Sequence, residues 1–430
     1  MATAVFQVDT QHFEKRALQW AQQFDEVCFF QSNDYNDEYA QIDRLLAVKA
    51  IDQVVCEHMD IFQTLEKFRA RYPDRWMPGF FSYDLKNEIE NLTTSFPNRL
   101  EFPEAYFFIP TIVLHFTDKE VKIEAPYPEN VYNDILASSD TANRRIKETT
   151  NICFQKRMSE TTYVDVFQQL LKHIQQGDIY EVNLCQEFYA ENVTLSPLAV
   201  YQKLNRVSPT PFSCYFKIKD NYILSASPER FLAKRGSALI SQPIKGTAPR
   251  GKTQEEDFLI IETLKNSPKE ISENVMIVDL VRNDLTRSAQ EGTVKAEKQL
   301  EVQTFEQVHQ LVSTIACQKR VGISDIEVIR NTFPAGSMTG APKISAMRLC
   351  DRYENSKRGI YAGALGYFDP KGDFDFNVVI RSLLYNSKKQ YLSFHTGGAI
   401  TIDADPKKEY EECLLKASAI LKTLGSKLVR

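Results

Sequence analysis

Residues 361–402 read YAGALGYFDPKGDFDFNVVIRSLLYNSKKQYLSFHTGGAITI. Three apolar runs, ALGYF (364–368), FDFNVVIRSLLY (374–385) and QYLSFH (390–395), are separated by the polar turns DPKGD and NSKK. Short polar connections between β-branched and aromatic runs are hairpin signals, so this segment reads as a meander of three antiparallel strands. SCYFKIKDNYILSAS (213–227) repeats the pattern as strand, Asp-Asn turn, strand, and AYFFIPTIVLHF (105–116) and EVKIEA (120–125) add two strands upstream. Between these groups TYVDVFQQLLKHIQQG (162–177) carries apolar residues at helical spacing and stops at Gly177. The regular strand–helix–strand alternation of a parallel nucleotide-binding sheet is missing. The expected class is mixed α/β, of the α+β type, with large antiparallel sheets.

The chain has 430 residues, 43% hydrophobic and 25% charged, which is ample for a sizeable core. A net charge of −5 and the lack of a long basic block argue against nucleic acid as the main partner. The N-terminus lacks a basic leader with an apolar run, and no apolar stretch approaches the roughly 18–20 residues of a membrane span. Eight cysteines form no C-x-x-C pair, so zinc spacings are absent and buried thiols in a reducing cytoplasm are expected. The polar stretch SSDTANRRIKETTN (138–151) suggests a boundary between regions 1–145 and 146–430.

GTAPRGKT (246–253) fits the phosphate-loop spacing G-x-x-x-x-G-K-[ST], and VMIVD (275–279) resembles the apolar run ending in aspartate that accompanies it. Physics disfavours the match. Pro249 removes an N–H from the cradle. VMIVD lies inside SPKEISENVMIVDLVRNDL (267–285), which opens as a helix: Ser267 is an N-cap, Pro268 fits the first helical position, and Glu270 completes a capping box. Asp279 is then mid-helix, and the nucleotide-hydrolase reading is set aside.

The same helix puts Glu270 and Glu273 on one face, and a second helix opening at Asp405-Pro406 repeats the spacing with Glu409 and Glu412. The two pairs could converge on a hard divalent cation, or stand solvated where the helix dipole favours acids. Lys245 lies in a tight turn with Pro243, Ile244, Gly246 and Pro249. Desolvation there would free its amine as a nucleophile; simple exposure is the alternative. Glu229, in SASPERF, is a general acid if burial raises its pKa, or else a surface partner of Arg230. Arg381, in an apolar strand, is an ion-pair member or a carboxylate binder. Gly397 and Gly398 would offer bare backbone N–H groups to a ligand. His309, in FEQVHQLVS, reads as a satisfied core histidine on a helix.

GDIYEVNLCQ, SASPERF, PIKGTAPRG, SENVMIVDLVRNDL, FPAGSMTGAPK, GIYAGALGYF, NVVIRSLL and HTGGAITIDADPKKEYEECLLKA run in order along residues 177–417. Together they resemble the chorismate-utilising enzymes, the family of anthranilate, aminodeoxychorismate, isochorismate and salicylate synthases. CFFQSNDY and GFFSYDL extend the resemblance weakly into the N-terminal third. It implies one compact anthranilate-synthase-like fold, two large antiparallel sheets packed together with helices outside. It implies magnesium on Glu273 and Glu412, with Glu270 and Glu409 assisting through water. Tyr361, Arg381, Gly397 and Gly398 would hold the enolpyruvyl carboxylate of chorismate, with Gly246 and Ser337 close to the substrate. Glu229 would protonate the departing 4-hydroxyl, and His309 would lie beside the ring.

Anthranilate synthases read PIAGT where this chain reads PIKGT, the form characteristic of the branch that aminates ring carbon 4. In that chemistry Lys245 would attack ring carbon 2 and then be expelled as ammonia adds at carbon 4. Position 181 is Glu where ammonia-using members usually carry Gln and isochorismate members Lys; Glu181 is an ammonia-side candidate that could bind incoming ammonium or merely replace the amide. No cysteine stands in a glycine-flanked nucleophile elbow. The resemblance therefore implies a separate glutamine amidotransferase subunit as ammonia source and an aminodeoxychorismate lyase acting on the product.

Overall fold

Two antiparallel ladders carry the chain, joined by strands that run from one into the other. The computed structural model describes residues 1–57, 60–138, 149 and 151–429. Phe212–Ile218 and Asn221–Ser227 form a hairpin around Lys219-Asp220, one residue earlier than the Asp-Asn turn expected. Glu26–Gln31 flanks that hairpin on one side and Ser382–Asn386 on the other, and the ladder continues through Tyr391–Ile400 to Glu181–Ala190. The second ladder runs from Met77–Phe81 through Ala364–Phe368, Phe374–Val378, Arg230–Arg235 and Ala238–Gln242 to Val308–Gln318.

The run 374–385, expected as one strand, is two. Pairing stops at Val378 and resumes at Ser382, and Arg381 between them takes φ 50°, the left-handed region. Beside it, Asn221–Ser227 gives way at Pro228-Glu229 to Arg230–Arg235. These two breaks are stitched together. Val378 N donates to Glu229 O at 3.0 Å, Ala226 N to Arg381 O at 3.3 Å, and Ser227 Oγ to Val378 O at 2.6 Å. Glu229 and Arg381 therefore sit where paired strands leave one ladder for the other.

Each ladder buries its own apolar face. Phe81, Phe107, Phe368, Phe374 and Phe376 share one cluster, while Phe29, Leu46, Phe188, Leu383 and Phe394 share another. A buried side chain of this size is worth about 1.5–3 kcal/mol. Helix Glu160–Gln175, with Ser159 Oγ accepting from Thr162 N at 3.1 Å, lays Tyr163, Phe167, Leu170 and Ile174 on a further cluster. No described helix is long and apolar enough to cross a membrane.

His309 corrects one expectation: it lies on strand Val308–Gln318, not on a helix. That strand pairs with neighbours on both edges and is buried almost throughout, so it shows no alternation to mark it. Apart from Ser138, Thr149 and Asn151, the boundary stretch 138–151 lies outside the described residues. Strands from before and after it pair directly, as in Glu26–Gln31 with Phe212–Ile218.

Candidate active site

Lys245 stands on strand Ile244–Pro249, whose path is set by pairing to Val308–Gln318. Asn274 Nδ2 donates to Lys245 O at 3.4 Å, and Ser313 Oγ donates to Asn274 Oδ1 at 2.6 Å, which fixes the turn. Gly246 follows with φ 96°, where a Cβ would meet Glu270 Oε2 at 2.9 Å. Lys245 Nζ lies 2.6 Å from Glu181 Oε1 and 4.0 Å from Glu273 Oε2. Burial by itself lowers an ammonium pKa, the outcome expected of a desolvated turn; here Glu181, Glu273 and Glu229 outweigh it and raise the pKa of Lys245. The resting lysine is a cation. Glu181 is 1% exposed, and its Oε2 has no hydrogen-bond partner among the described residues.

Glu229 is not a surface partner of Arg230. The Arg230 guanidinium turns the other way, to Asp375 at 3.0 and 3.1 Å and to Asp37 at 2.5 Å. Glu229 is 4% exposed and accepts from Ser337 Oγ at 2.5 Å. Burial pushes its pKa up to about 7, against the Ser337 hydroxyl, the Ile244 N–H and the charges of Lys245 and Arg381. Arg381 has no ion-pair partner within salt-bridge range among the described residues, and burial works against its charge. A half-buried guanidinium left unpaired suits an anionic ligand.

The four helix glutamates come together. Ser267 caps helix Pro268–Thr286 and Asp405 caps helix Pro406–Leu424, as the capping pattern requires. Lys269 Nζ bridges the helices, 3.8 Å from Glu273 Oε1 and 3.4 Å from Glu409 Oε1. Gly398 lies beneath: a Cβ there would be 3.0 Å from Glu409 Oε2. Burial raises the pKa of Glu270 and Glu409 and pushes Glu273 up to about 7. Burial also acts on Glu412, but Lys416, 2.9 Å away, outweighs it and holds the carboxyl below its usual range. Among the described residues no three His, Cys, Asp or Glu side chains are closed into a metal cage. Glu273 Oε1 is buried without a hydrogen bond. An all-oxygen set with an unsatisfied buried carboxylate oxygen fits magnesium, which keeps several waters.

Glu181, Asn183 and Cys185 alternate onto one face of strand Glu181–Ala190. Cys185 Sγ is 3.8 Å from the Tyr361 hydroxyl, and a Cβ on Gly397 would lie 2.7 Å from that sulfur and 2.5 Å from Leu184 O. Glycine at 397 is thus demanded by the neighbouring strand, whatever ligand it also admits. Tyr361 stacks on His395 at 5.0 Å, and burial pushes His395 down to about 4, so that its ring is neutral. His309 is the satisfied core histidine of the default reading: Nε2 lies 2.7 Å from Asp257 Oδ1 and Nδ1 2.9 Å from Thr304 Oγ1. It shares no hydrogen bond with Lys245 or Glu229.

Asn183, Asn274 and Lys269 join the site from outside the residues that the motifs single out. Asn183 Nδ2 donates to Ser337 O at 3.1 Å, and its period-two spacing from Glu181 was the available signal. The phosphate-loop match is answered by its own carboxylates. Gly251 N donates to Asp257 Oδ1 at 2.7 Å and Lys252 N to Glu256 Oε2 at 2.8 Å, at a helix whose first turn holds Glu255, Glu256 and Asp257. Asp279 is an exposed partner of Arg282 at 2.9 Å. The Gly251 and Lys252 amides are thus taken, and the acidic first turn of the helix opposes a phosphate.

A sequence profile described as chorismate binding enzyme matches residues 16–422. The chain belongs to that family. Its curated relatives include aminodeoxychorismate synthase of Streptomyces griseus, 44% identical over 264 residues, covering 61% of this chain and 36% of that longer protein. Aminodeoxychorismate synthase component 1 of Klebsiella aerogenes is 34% identical over 350 residues, covering 81% of this chain and 77% of the other. Among solved structures, anthranilate synthase component I of Streptococcus pneumoniae superposes with a TM-score of 0.77 at 25% identity, covering 90% of this chain and 95% of the other. The family assignment and the α+β fold with large antiparallel sheets expected from the motifs both hold.

Proposed function

We propose that this chain aminates chorismate at ring carbon 4, giving 4-amino-4-deoxychorismate, as the component that receives ammonia from a glutamine amidotransferase subunit. The observation that carries the reading is the pairing of two groups: Lys245, half-buried and ion-paired to Glu181 at 2.6 Å, and Glu229, buried, its pKa raised to about 7 and met by Ser337. One is a nucleophile with a proton acceptor in contact. The other is an acid whose pKa suits proton donation near neutral pH.

Lys245 first passes a proton to Glu181, the carboxylate at hydrogen-bond distance. Its freed amine then forms a bond to ring carbon 2 while both conjugated ring double bonds shift and the 4-hydroxyl departs as water, taking the proton of Glu229. Ammonia adds at carbon 4, both double bonds shift back, and the lysine amine leaves. The proton shed by the new amino group returns to Glu229, and Glu181 returns its own to Lys245. One chorismate and one ammonia give one amino product and one water. Splitting the displacement into two allylic steps is the advantage of the covalent adduct. Arg381, with Tyr361 and the backbone at Gly397 and Gly398, holds a substrate carboxylate, and Gly246 lets the chain pass close to Glu270. His309 braces the strand beside Lys245 through Asp257 and Thr304. Glu273 and Glu412, backed by Glu270 and Glu409, would hold magnesium, which when bound supplies positive charge against the substrate's ring carboxylate.

The test is product identity. Purified chain is given chorismate, magnesium and an ammonium salt, with and without aminodeoxychorismate lyase. 4-Aminobenzoate formed only when lyase is present, and lost in Lys245→Ala, supports the reading. Anthranilate formed without lyase would place the chain with the anthranilate synthases and remove the special role of Lys245.

A further inference from the structure

We infer that Arg358, locked by Glu354, is a positioning residue that sets the Ser337 hydroxyl against Glu229. It touches neither the lysine nor the acid. Arg358 is 3% exposed, with every arm of its guanidinium committed. Nη1 donates to Met338 O at 2.7 Å and Nη2 to Asn183 O at 2.8 Å. Glu354 grips it from behind, Oε2 at 2.9 Å from Nε and Oε1 at 2.6 Å from Nη2, and Glu354 Oε1 also accepts from Cys185 N at 3.0 Å. The Tyr83 ring lies 4.4 Å from the guanidinium carbon. One planar cation thus spans two backbone carbonyls on separate elements, strand Glu181–Ala190 and the turn Gly336–Met338, and fixes their spacing. Asn183 closes the loop by donating from Nδ2 to Ser337 O.

From that turn the Ser337 hydroxyl reaches Glu229 at 2.5 Å. The groups that face Glu229 are Ser337, the Ile244 N–H, Lys245 and Arg381. Of the elements that bear these four groups, Arg358 contacts only the turn that carries Ser337, so displacing it reaches Glu229 through Ser337. A donor to the ionised carboxylate favours that form, and loosening the turn makes Glu229 hold its proton to higher pH. Lysine cannot replace the fork, because a point charge reaches one carbonyl and leaves the other.

The inference rests on the proposed acid role of Glu229, and the experiment separates the two. Chorismate amination with ammonium is measured across pH for wild type, E229Q, S337A, R358K and the S337A/R358K double variant. If wild type shows no falling limb in kcat/KM near pH 7 that E229Q abolishes, the acid role fails. With that limb present, S337A moves it to higher pH. R358K moves it the same way, with kcat down about tenfold and KM for chorismate within about twofold. The double variant coincides with S337A. A slower R358K whose limb stays in place, or a double variant whose shift is the sum of the two, overturns the inference. Should R358K not fold, E354Q carries the same test, with the same signature expected.

Discussion

Glu229 and Arg230 are neighbours on one strand edge, both buried, both charged in water, and the protein treats them in opposite ways. Arg230 is met by both oxygens of Asp375 and of Asp37, and its pKa rises beyond its ordinary value. Glu229 receives one hydroxyl and one amide, and burial leaves it balanced between its two forms. Across the strand turn the same contrast continues: Glu181 Oε2, Glu273 Oε1 and Asn183 Oδ1 are buried without a hydrogen bond among the described residues, and Arg381 has no counter-ion there. Saturated charge holds a fold together. Unsaturated charge, secluded from water, is a place prepared for a ligand or a proton.

The comparison breaks most visibly at Lys245. Lys245→Ala should lower the amination kcat by about 10³-fold or more, measured as 4-aminobenzoate in a lyase-coupled assay, with a melting shift smaller than that of any Arg230-cluster variant. Next comes Asp375→Ala. It takes one of two carboxylates from a buried guanidinium that Asp37 still holds, and should cost about 2 kcal/mol of stability in denaturant titration, without changing which product forms.

The acid half is sharpened by pH. Glu229 has its folded pKa raised to about 7 from an ordinary 4.5, so its stabilising protonation is complete below the unfolded value and lost as pH rises through about 7. In the proposed acid role the protonated form is the one that turns over, so kcat/KM should fall about tenfold for each pH unit above that limb. Glu229→Gln should remove both dependences, read from melting and rate profiles. The smallest effect is expected from Asn274→Ala. Losing the bond to the Lys245 carbonyl should cost about 1 kcal/mol of transition-state stabilisation, roughly fivefold in kcat, with product identity unchanged.

Much of this was legible in the chain. The hairpin at 213–227, the capped helix at 267 and the helix at 406 follow local rules, and they delivered Glu270, Glu273, Glu409 and Glu412 to facing helices as expected. What stayed hidden was non-local. His309 lies on a strand buried between neighbours, which has no period to read. The charge state of Lys245 depends on Glu181, 64 residues away, and local desolvation pointed to the opposite sign. Arg381 interrupts what looks like one continuous strand, because the left-handed kink there is imposed by the join between ladders and not by any turn residue.

That kink bears on how such a molecule is optimised. A β-carbon at φ 50° costs on the order of 1 kcal/mol relative to glycine, before the expense of half-burying a guanidinium is added. Selection for thermal endurance alone would favour glycine at 381, and screens for heat-resistant variants should drift toward it as activity declines. With Arg381 holding a substrate carboxylate as proposed, the position is one where endurance and turnover pull apart.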